Sequence, residues 1–183
     1  MQKVKYWIQA ARIQTLPLSI SGILVGSSLA YNINSFDNII FFLSIITAIS
    51  FQVLSNFAND YGDGILGTDN QRIGPDRVIA SGKLSLKELK KGIVINVFIS
   101  ITFSYSLIKY SFKSDYFLIL IFLILSISSI VAAIKYTMGK SPYGYHGLGD
   151  IFVFIFFGYV SVFGSFFLQT KIIIMNYLFW QQS

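Results

Sequence analysis

Five apolar segments dominate the chain, at about residues 14–31, 38–60, 92–112, 116–136 and 151–170. Each approaches the roughly 20 residues that an α-helix needs to cross a hydrocarbon core. None shows the strict two-residue alternation of a barrel strand. The expected fold class is therefore all-α, a polytopic transmembrane helical bundle of about five spans, with residues 1–183 forming part of a single membrane domain. Pro17 falls near the start of the first span, where a proline is tolerated. The residues after 170, KIIIMNYLFWQQS, are too few to complete another span.

Charge placement supports this reading. Only 12% of the residues are charged, against roughly 25% in a soluble domain. The 14 Lys and Arg form no continuous stripe, so the net charge of +6 does not point to nucleic acid. They divide unevenly between the two ends of the spans. Lys3, Lys5 and Arg12, then Arg72, Arg77, Lys83, Lys87, Lys90 and Lys91, then Lys135 and Lys140 share one side. Lys109, Lys113 and Lys171 share the other. The positive-inside rule then puts the N-terminus and the two larger loops in the cytoplasm. Ser28 and Ala30 resemble a signal-peptidase site, but an uncleaved first span fits a chain that is membrane-like throughout.

The absence of cysteine excludes disulfides, thiolate chemistry and Cys-ligated zinc or iron–sulfur sites. His146 is the one histidine, and a lone loop imidazole without a partner is more often incidental than a proton-transfer group.

The chemistry concentrates in residues 56–85, NFANDYGDGILGTDNQRIGPDRVIASGKLS, which hold Asp60, Asp63, Asp69 and Asp76 of the eight acidic residues. If the second span continues through residue 63, Asn56, Asn59, Asp60 and Asp63 fall at i, i+3, i+4 and i+7, on one helical face. Carboxylates next to hydrocarbon are costly and face the bundle interior or a watery cavity. Their oxygens suit Mg²⁺, which is commonly held by one or two carboxylates together with substrate phosphates. Asp69 follows a Gly67-Thr68 turn and could complete the set. Arg72, Arg77 and Lys83 are placed to contact a phosphate or diphosphate. A solvated loop with weak surface ion pairs is the bland alternative, and composition and spacing leave both readings open.

A second loop on the same side, YTMGKSPYGYHGLGD, carries Tyr136, Lys140, Tyr143, Tyr145 and Asp150. It is either another wall of the cavity or an interfacial turn, since tyrosines gather at membrane boundaries. Its glycines lack the strand–turn–helix setting of a dinucleotide motif. Arg12, just before TLP, reads equally as a phosphate contact or a topological anchor. The phenylalanines of 152–167 are expected to face lipid or neighbouring helices.

The segment NDYGDGILGTDNQRIGPDRVIASGKLS resembles the first Asp-rich motif of UbiA-type intramembrane prenyltransferases. It is similar, more narrowly, to the 1,4-dihydroxy-2-naphthoate prenyltransferases of menaquinone biosynthesis. ARIQTLPLSISGILVG and KSPYGYHGLGDIFVFIFFGYVSVFGSFFLQT agree in order, so the resemblance runs from about residue 10 to residue 170. It implies a bacterial inner-membrane enzyme that moves a polyprenyl group from polyprenyl diphosphate to 1,4-dihydroxy-2-naphthoate, with loss of the acceptor's carboxylate to give demethylmenaquinol. By motif match, Asn59, Asp60 and Asp63 would hold Mg²⁺ and the diphosphate, with Asp69 as a further acid. Asp60 and Asp63 would be the catalytic pair. Arg72 and Arg77 would contact the diphosphate, and Lys83, Lys140, Tyr143, Tyr145 and Asp150 would line the substrate site. The family has about nine spans and a second Asp-rich motif, whereas this sequence has no acidic pair beyond Asp150. The resemblance therefore implies a chain truncated at its C-terminus and impaired alone. The alternatives are a relative using another aromatic acceptor, such as 4-hydroxybenzoate, and a non-catalytic membrane fragment.

Overall fold

A computed structural model of the chain describes residues 2–67, 77–139 and 141–173. Among these residues every regular element is helical. The first span is α1 (Gln2–Ala11), a 3-10 turn (Ile13–Thr15) and α2 (Leu16–Asn32) in succession. Then come α3 (Asn38–Leu66), α4 (Leu86–Phe112) and α5 (Tyr116–Lys135). A second 3-10 turn (Tyr143–His146) leads to the last span, built from α6 (Gly149–Val153), a π-helical stretch (Phe154–Val160) and α7 (Ser161–Thr170). Five helical stretches are long and apolar enough to cross a membrane, Gln2–Asn32, Asn38–Leu66, Leu86–Phe112, Tyr116–Lys135 and Gly149–Thr170. The protein is thus a multi-pass membrane protein.

The expected spans are all present, but three begin or end beyond their apolar cores. At about 1.5 Å per residue the 29 residues of α3 extend about 44 Å, well past the roughly 30 Å of a hydrocarbon core. The excess lies at the C-terminal end, where Asp60 and Asp63 sit. α4 starts at Leu86 because Ser85 and Glu88 form a capping box there. This satisfies N–H groups at a helix end that lies outside the apolar stretch. The N-terminal residues are also helical: Trp7 packs edge-on against Phe57 at 5.4 Å, and Lys3 pairs with Glu88 at 2.7 Å.

Small residues decide how closely the helices approach. Gly22 and Gly26 on α2 face the last span, where an added Cβ at Gly22 would lie 2.4 Å from Ser161 Oγ and one at Gly26 2.3 Å from the Val162 carbonyl. Membrane helices lack the hydrophobic drive of water and associate through such close backbone contact. Two of the buried serines turn their hydroxyls onto their own helix. Ser44 Oγ donates to the Ile40 carbonyl at 2.7 Å and Ser165 Oγ to the Ser161 carbonyl at 2.7 Å.

Two apolar clusters sit at opposite ends of the bundle. At the Asp60 end, Ala10, Leu54, Phe57, Val78, Leu84 and Leu89 are buried together. At the Asp37 end, Phe112 and Phe122 pack at 4.8 Å beside Leu107, Ile119 and Leu168. The outside of the bundle is apolar, with Ile95, Phe98, Phe117 and Leu120 exposed, as a surface bathed in lipid requires.

Candidate active site

Asp60 is the centre of the site and is only 2% exposed. Two guanidiniums converge on its Oδ1. Arg12 donates from Nη2, and Arg77 donates from Nη1 at 3.1 Å. Their side chains are 14% and 13% exposed. A buried carboxylate is tolerable only when paired in this way. Arg12 Nε is also buried and has no hydrogen-bond partner among the described residues, so this guanidinium retains an unused donor.

Each arginine is placed by its neighbours in sequence. Arg12 adopts a left-handed backbone, φ 49, at the break between α1 and the first 3-10 turn. Asn56 holds that break: its Nδ2 donates to the Ala11 carbonyl at 2.9 Å and to Thr15 Oγ1 at 3.0 Å. Gln52 adds a donor to Thr15 Oγ1 at 3.2 Å, and Thr15 Oγ1 donates to the Arg12 carbonyl at 2.9 Å. Arg77 is set by Val78, fully buried in the apolar cluster, and by Ile79, which lies where a Cβ on Gly64 would be. The following turn closes through Ser81 N–H to the Arg77 carbonyl at 3.0 Å and Lys83 N–H to the Val78 carbonyl at 2.9 Å.

The remaining acidic-face residues contact the second loop. The Thr137 hydroxyl lies 2.9 Å from the Ala58 carbonyl and 3.1 Å from Asn59 Oδ1. The Tyr145 hydroxyl donates to Asp63 Oδ1. The Thr137 carbonyl occupies the space in which Gly62 lacks a Cβ, 2.3 Å from that position. Lys83 Nζ donates to Gln9 Oε1 at 3.4 Å. Asp150 is exposed in the first turn of α6, with no side-chain hydrogen bond or ion pair among the described residues. Asp69, Arg72 and Lys140, named from the sequence, lie outside the described residues.

Beside this polar cluster opens a cavity of about 740 Å³, lined mostly by apolar side chains from every span. The volume is within the range of small-molecule and cofactor sites. Asn56, Asn59, Tyr136 and Tyr143 form its polar end, and Leu107, Leu118 and Ile121 its far end. The Tyr143 ring packs against Phe152 at 4.2 Å and Tyr136 at 5.4 Å, and its hydroxyl donates to the Ala132 carbonyl at 2.7 Å. Burial, reinforced by Tyr136, pushes the Tyr143 hydroxyl up to about 12, so it remains a proton donor across the physiological range.

Of the residues named from the sequence, the structure thus pairs Asp60 with Arg77 and Asp63 with Tyr145, and sets Asn59 and Tyr143 in the wall of one cavity. Sequence reasoning missed Thr137 and did not join Arg12 to Asp60. The one signal for Arg12 was a basic residue directly before an apolar span. Toward a divalent cation the described residues offer the carboxylates of Asp60 and Asp63 and the amide oxygen of Asn59. Among them no group of three His, Cys, Asp or Glu is gathered. Oxygen donors in this number suit a magnesium ion that takes its other ligands from phosphate and water.

Comparison with known proteins agrees with this chemistry. Residues 19–182 match the UbiA prenyltransferase family. The chain is 47% identical over 174 residues to a 1,4-dihydroxy-2-naphthoate octaprenyltransferase of Haemophilus influenzae, covering 92% of this chain and 56% of the relative. It is 41% identical over 177 residues to the Escherichia coli protein of the same name, covering 95% and 56%. A UbiA prenyltransferase domain-containing protein 1 of Dictyostelium discoideum is 30% identical over 168 residues, covering 89% and 49%. The chain thus spans about half the length of the curated relatives it matches. No solved structure matches it significantly. On the breadth of that match and the site it contains, the chain belongs to the UbiA prenyltransferase family.

Proposed function

We propose that this chain supplies the acidic part of the active site of a 1,4-dihydroxy-2-naphthoate polyprenyltransferase. The observation that carries this reading is the polar face of α3, whose Asp60 pairs with Arg12 and Arg77 and whose Asn56 and Asn59 line the end of a large apolar cavity. A polyprenyl diphosphate has the complementary chemistry, a polyanionic head on an apolar tail. The relatives' names give the acceptor as 1,4-dihydroxy-2-naphthoate.

In this reading Asn59, Asp60 and Asp63, with Asp69, hold Mg²⁺, which supplies positive charge to the leaving diphosphate when bound. Arg77 and Arg12 bind the same oxygens, Arg12 through its unused Nε donor, with Arg72, Lys83 and Lys140 as further contacts. As the prenyl C1–O bond breaks, these fixed cations stabilise charge developing on the departing oxygen. The electron pair for the new C–C bond comes from the electron-rich naphthol ring, and the acceptor's carboxylate leaves as carbon dioxide. Tyr143 and Tyr136 flank the ring at the polar end, Tyr145 and Asp150 lie on the adjoining loop, and the apolar walls exclude water from the cationic C1. The site opens to the cytoplasm, and the membrane is the bacterial inner membrane.

A chimera tests this directly. Residues 19–173 would replace the matching segment of the Haemophilus influenzae relative, and transfer from octaprenyl diphosphate to 1,4-dihydroxy-2-naphthoate would be assayed with Mg²⁺. Product formation that disappears with Asp63→Ala supports the assignment. A chimera that inserts normally and forms no product, or keeps forming it after Asp63→Ala, overturns it.

A further inference from the structure

Three lysines open α4 on its outer side. Lys87, Lys90, Lys91, Val94, Ile95 and Phe98 are all exposed. They fall at i, i+3, i+4, i+7, i+8 and i+11, a single stripe along one side of the helix. Within one turn that stripe changes from three ammoniums to an apolar surface. At about 1.5 Å per residue, Phe98 lies about 10 Å along the helix from Lys91. A phospholipid has the same order of parts, a charged phosphate followed by acyl chains.

These lysines are not engaged by the protein itself. None of the three makes a hydrogen bond or ion pair among the described residues. Glu88, the one acid between residues 77 and 112, is occupied by Lys3 at 2.7 Å and by its capping box with Ser85. The other end of α4 differs: Lys109 Nζ donates to the Lys113 carbonyl at 2.9 Å and stands over the Tyr116 ring at 5.6 Å. α1 widens the surface beside the stripe. Lys3 meets Glu88, and the Trp7 ring lies 2.5 Å from where a Cβ on Gly92 would be, so α1 rests against the first turns of α4. Val4 and Ile8, one turn apart on α1, remain exposed. None of these residues lines the cavity, so the surface is separate from the candidate active site.

We propose that the start of α4, flanked by α1, is a seat for an anionic phospholipid of the surrounding leaflet. Lys87, Lys90 and Lys91 hold the headgroup phosphate, and Val94, Ile95 and Phe98, with Val4 and Ile8 beside them, carry the acyl chains. Lysine stems lie along apolar surface and leave their ammoniums at the polar layer. A zwitterionic lipid brings its own ammonium to its phosphate, whereas an anionic lipid has none, so clustered lysines at this depth favour the anionic one.

The chain has no cysteine, so Phe98→Cys gives a unique site for a bimane fluorophore on the stripe. The labelled protein is placed in phosphatidylcholine vesicles that contain an equal small fraction of either phosphatidylglycerol or phosphatidylcholine carrying a nitroxide on its acyl chain. Contact is read as quenching. With the lysines intact, the phosphatidylglycerol probe is expected to quench at least about twofold more strongly. Changing Lys87, Lys90 and Lys91 together to Gln is expected to bring the two probes level, and changing them to Arg to preserve the difference. The same label at Ile127→Cys, exposed on α5, is expected to be quenched alike by both. Equal quenching at position 98, a preference that survives the Gln substitutions, or one as large at position 127 overturns the seat. Quenching by neither probe at position 98 means that protein, a second copy or a partner, covers this face, and overturns it equally.

Discussion

Arg12 and Asp60 are 48 residues apart in sequence and meet in an ion pair inside the bundle. The meeting depends on the left-handed backbone of Arg12, which ends α1 and turns the side chain toward α3. Asp60 consequently has two duties. It neutralises two largely buried guanidiniums in the folded protein, and it belongs to the acidic face proposed to hold magnesium. Asp63, which meets the exposed Tyr145, shares the second duty and is less deeply buried than Asp60.

These duties separate by mutation. Asp60→Asn leaves Arg12 and Arg77 without the carboxylate they share, and breaking a buried pair of this kind costs about 3–5 kcal/mol. Asp63→Asn retains an acceptor for Tyr145 at a less buried position and should cost less than Asp60→Asn. Unfolding in detergent, followed by loss of helical circular dichroism, measures both. Equal destabilisation by the two substitutions would show that Asp60 is not the anchor described here.

The spans were legible because runs of apolar residues have one stable solution in lipid, and the acidic face was legible from its i, i+3, i+4, i+7 spacing. The partners were not. At about 100° per residue those four positions spread over about 100° of the helix circumference, enough for each to meet a different neighbour. Asn56 turns to the break after α1, Asp60 to the arginines, Asn59 to Thr137 and Asp63 to Tyr145. Nothing local in the sequence marks Arg12 as left-handed, since an arginine gains nothing from that conformation by itself. The hydrogen bonds of Asn56 and Thr15 impose it from outside. Val78 is similar: its complete burial, which fixes Arg77, depends on an apolar cluster assembled from α1, α3 and α4.

Close packing of the first and last spans gives a second prediction. A Cβ at Gly26 would fall 2.1 Å from Ser165 Oγ and 2.3 Å from the Val162 carbonyl. The hydroxyl can rotate away, but the backbone carbonyl cannot. Gly26→Ala should therefore push α2 from α7 and cost about 1–3 kcal/mol. Thermal unfolding in detergent tests this, and an unchanged transition would mean that the spans are not packed backbone to backbone at this point.

The orientation proposed for the membrane is independent of any activity. Single cysteines replacing Ser81, in the turn between α3 and α4, and Ser114, in the turn between α4 and α5, occupy exposed positions at opposite ends of α4. In intact cells a membrane-impermeant maleimide should label position 114 and spare position 81 until the membrane is opened. Labelling of position 81 alone would invert the bundle, and labelling of both in intact cells would mean that α4 does not cross.

Tyr143 yields a prediction in pH. Burial disfavours the phenolate, so the folded pKa, about 12, lies above the ordinary 10.0. Below pH 10 the folded and unfolded chains both carry the proton, and the resulting stabilisation is fully present. Between the two values the unfolded chain releases the proton and the folded chain keeps it, so the folded state binds more protons and stability falls as pH rises. The contribution is lost as pH passes the folded value. A phenolate absorbance titration of the folded protein should contain a late component near pH 12 that Tyr143→Phe removes. If the substitution instead removes a component near pH 10, the hydroxyl is open to water, and the contact with the Ala132 carbonyl that closes the polar end of the cavity is not formed.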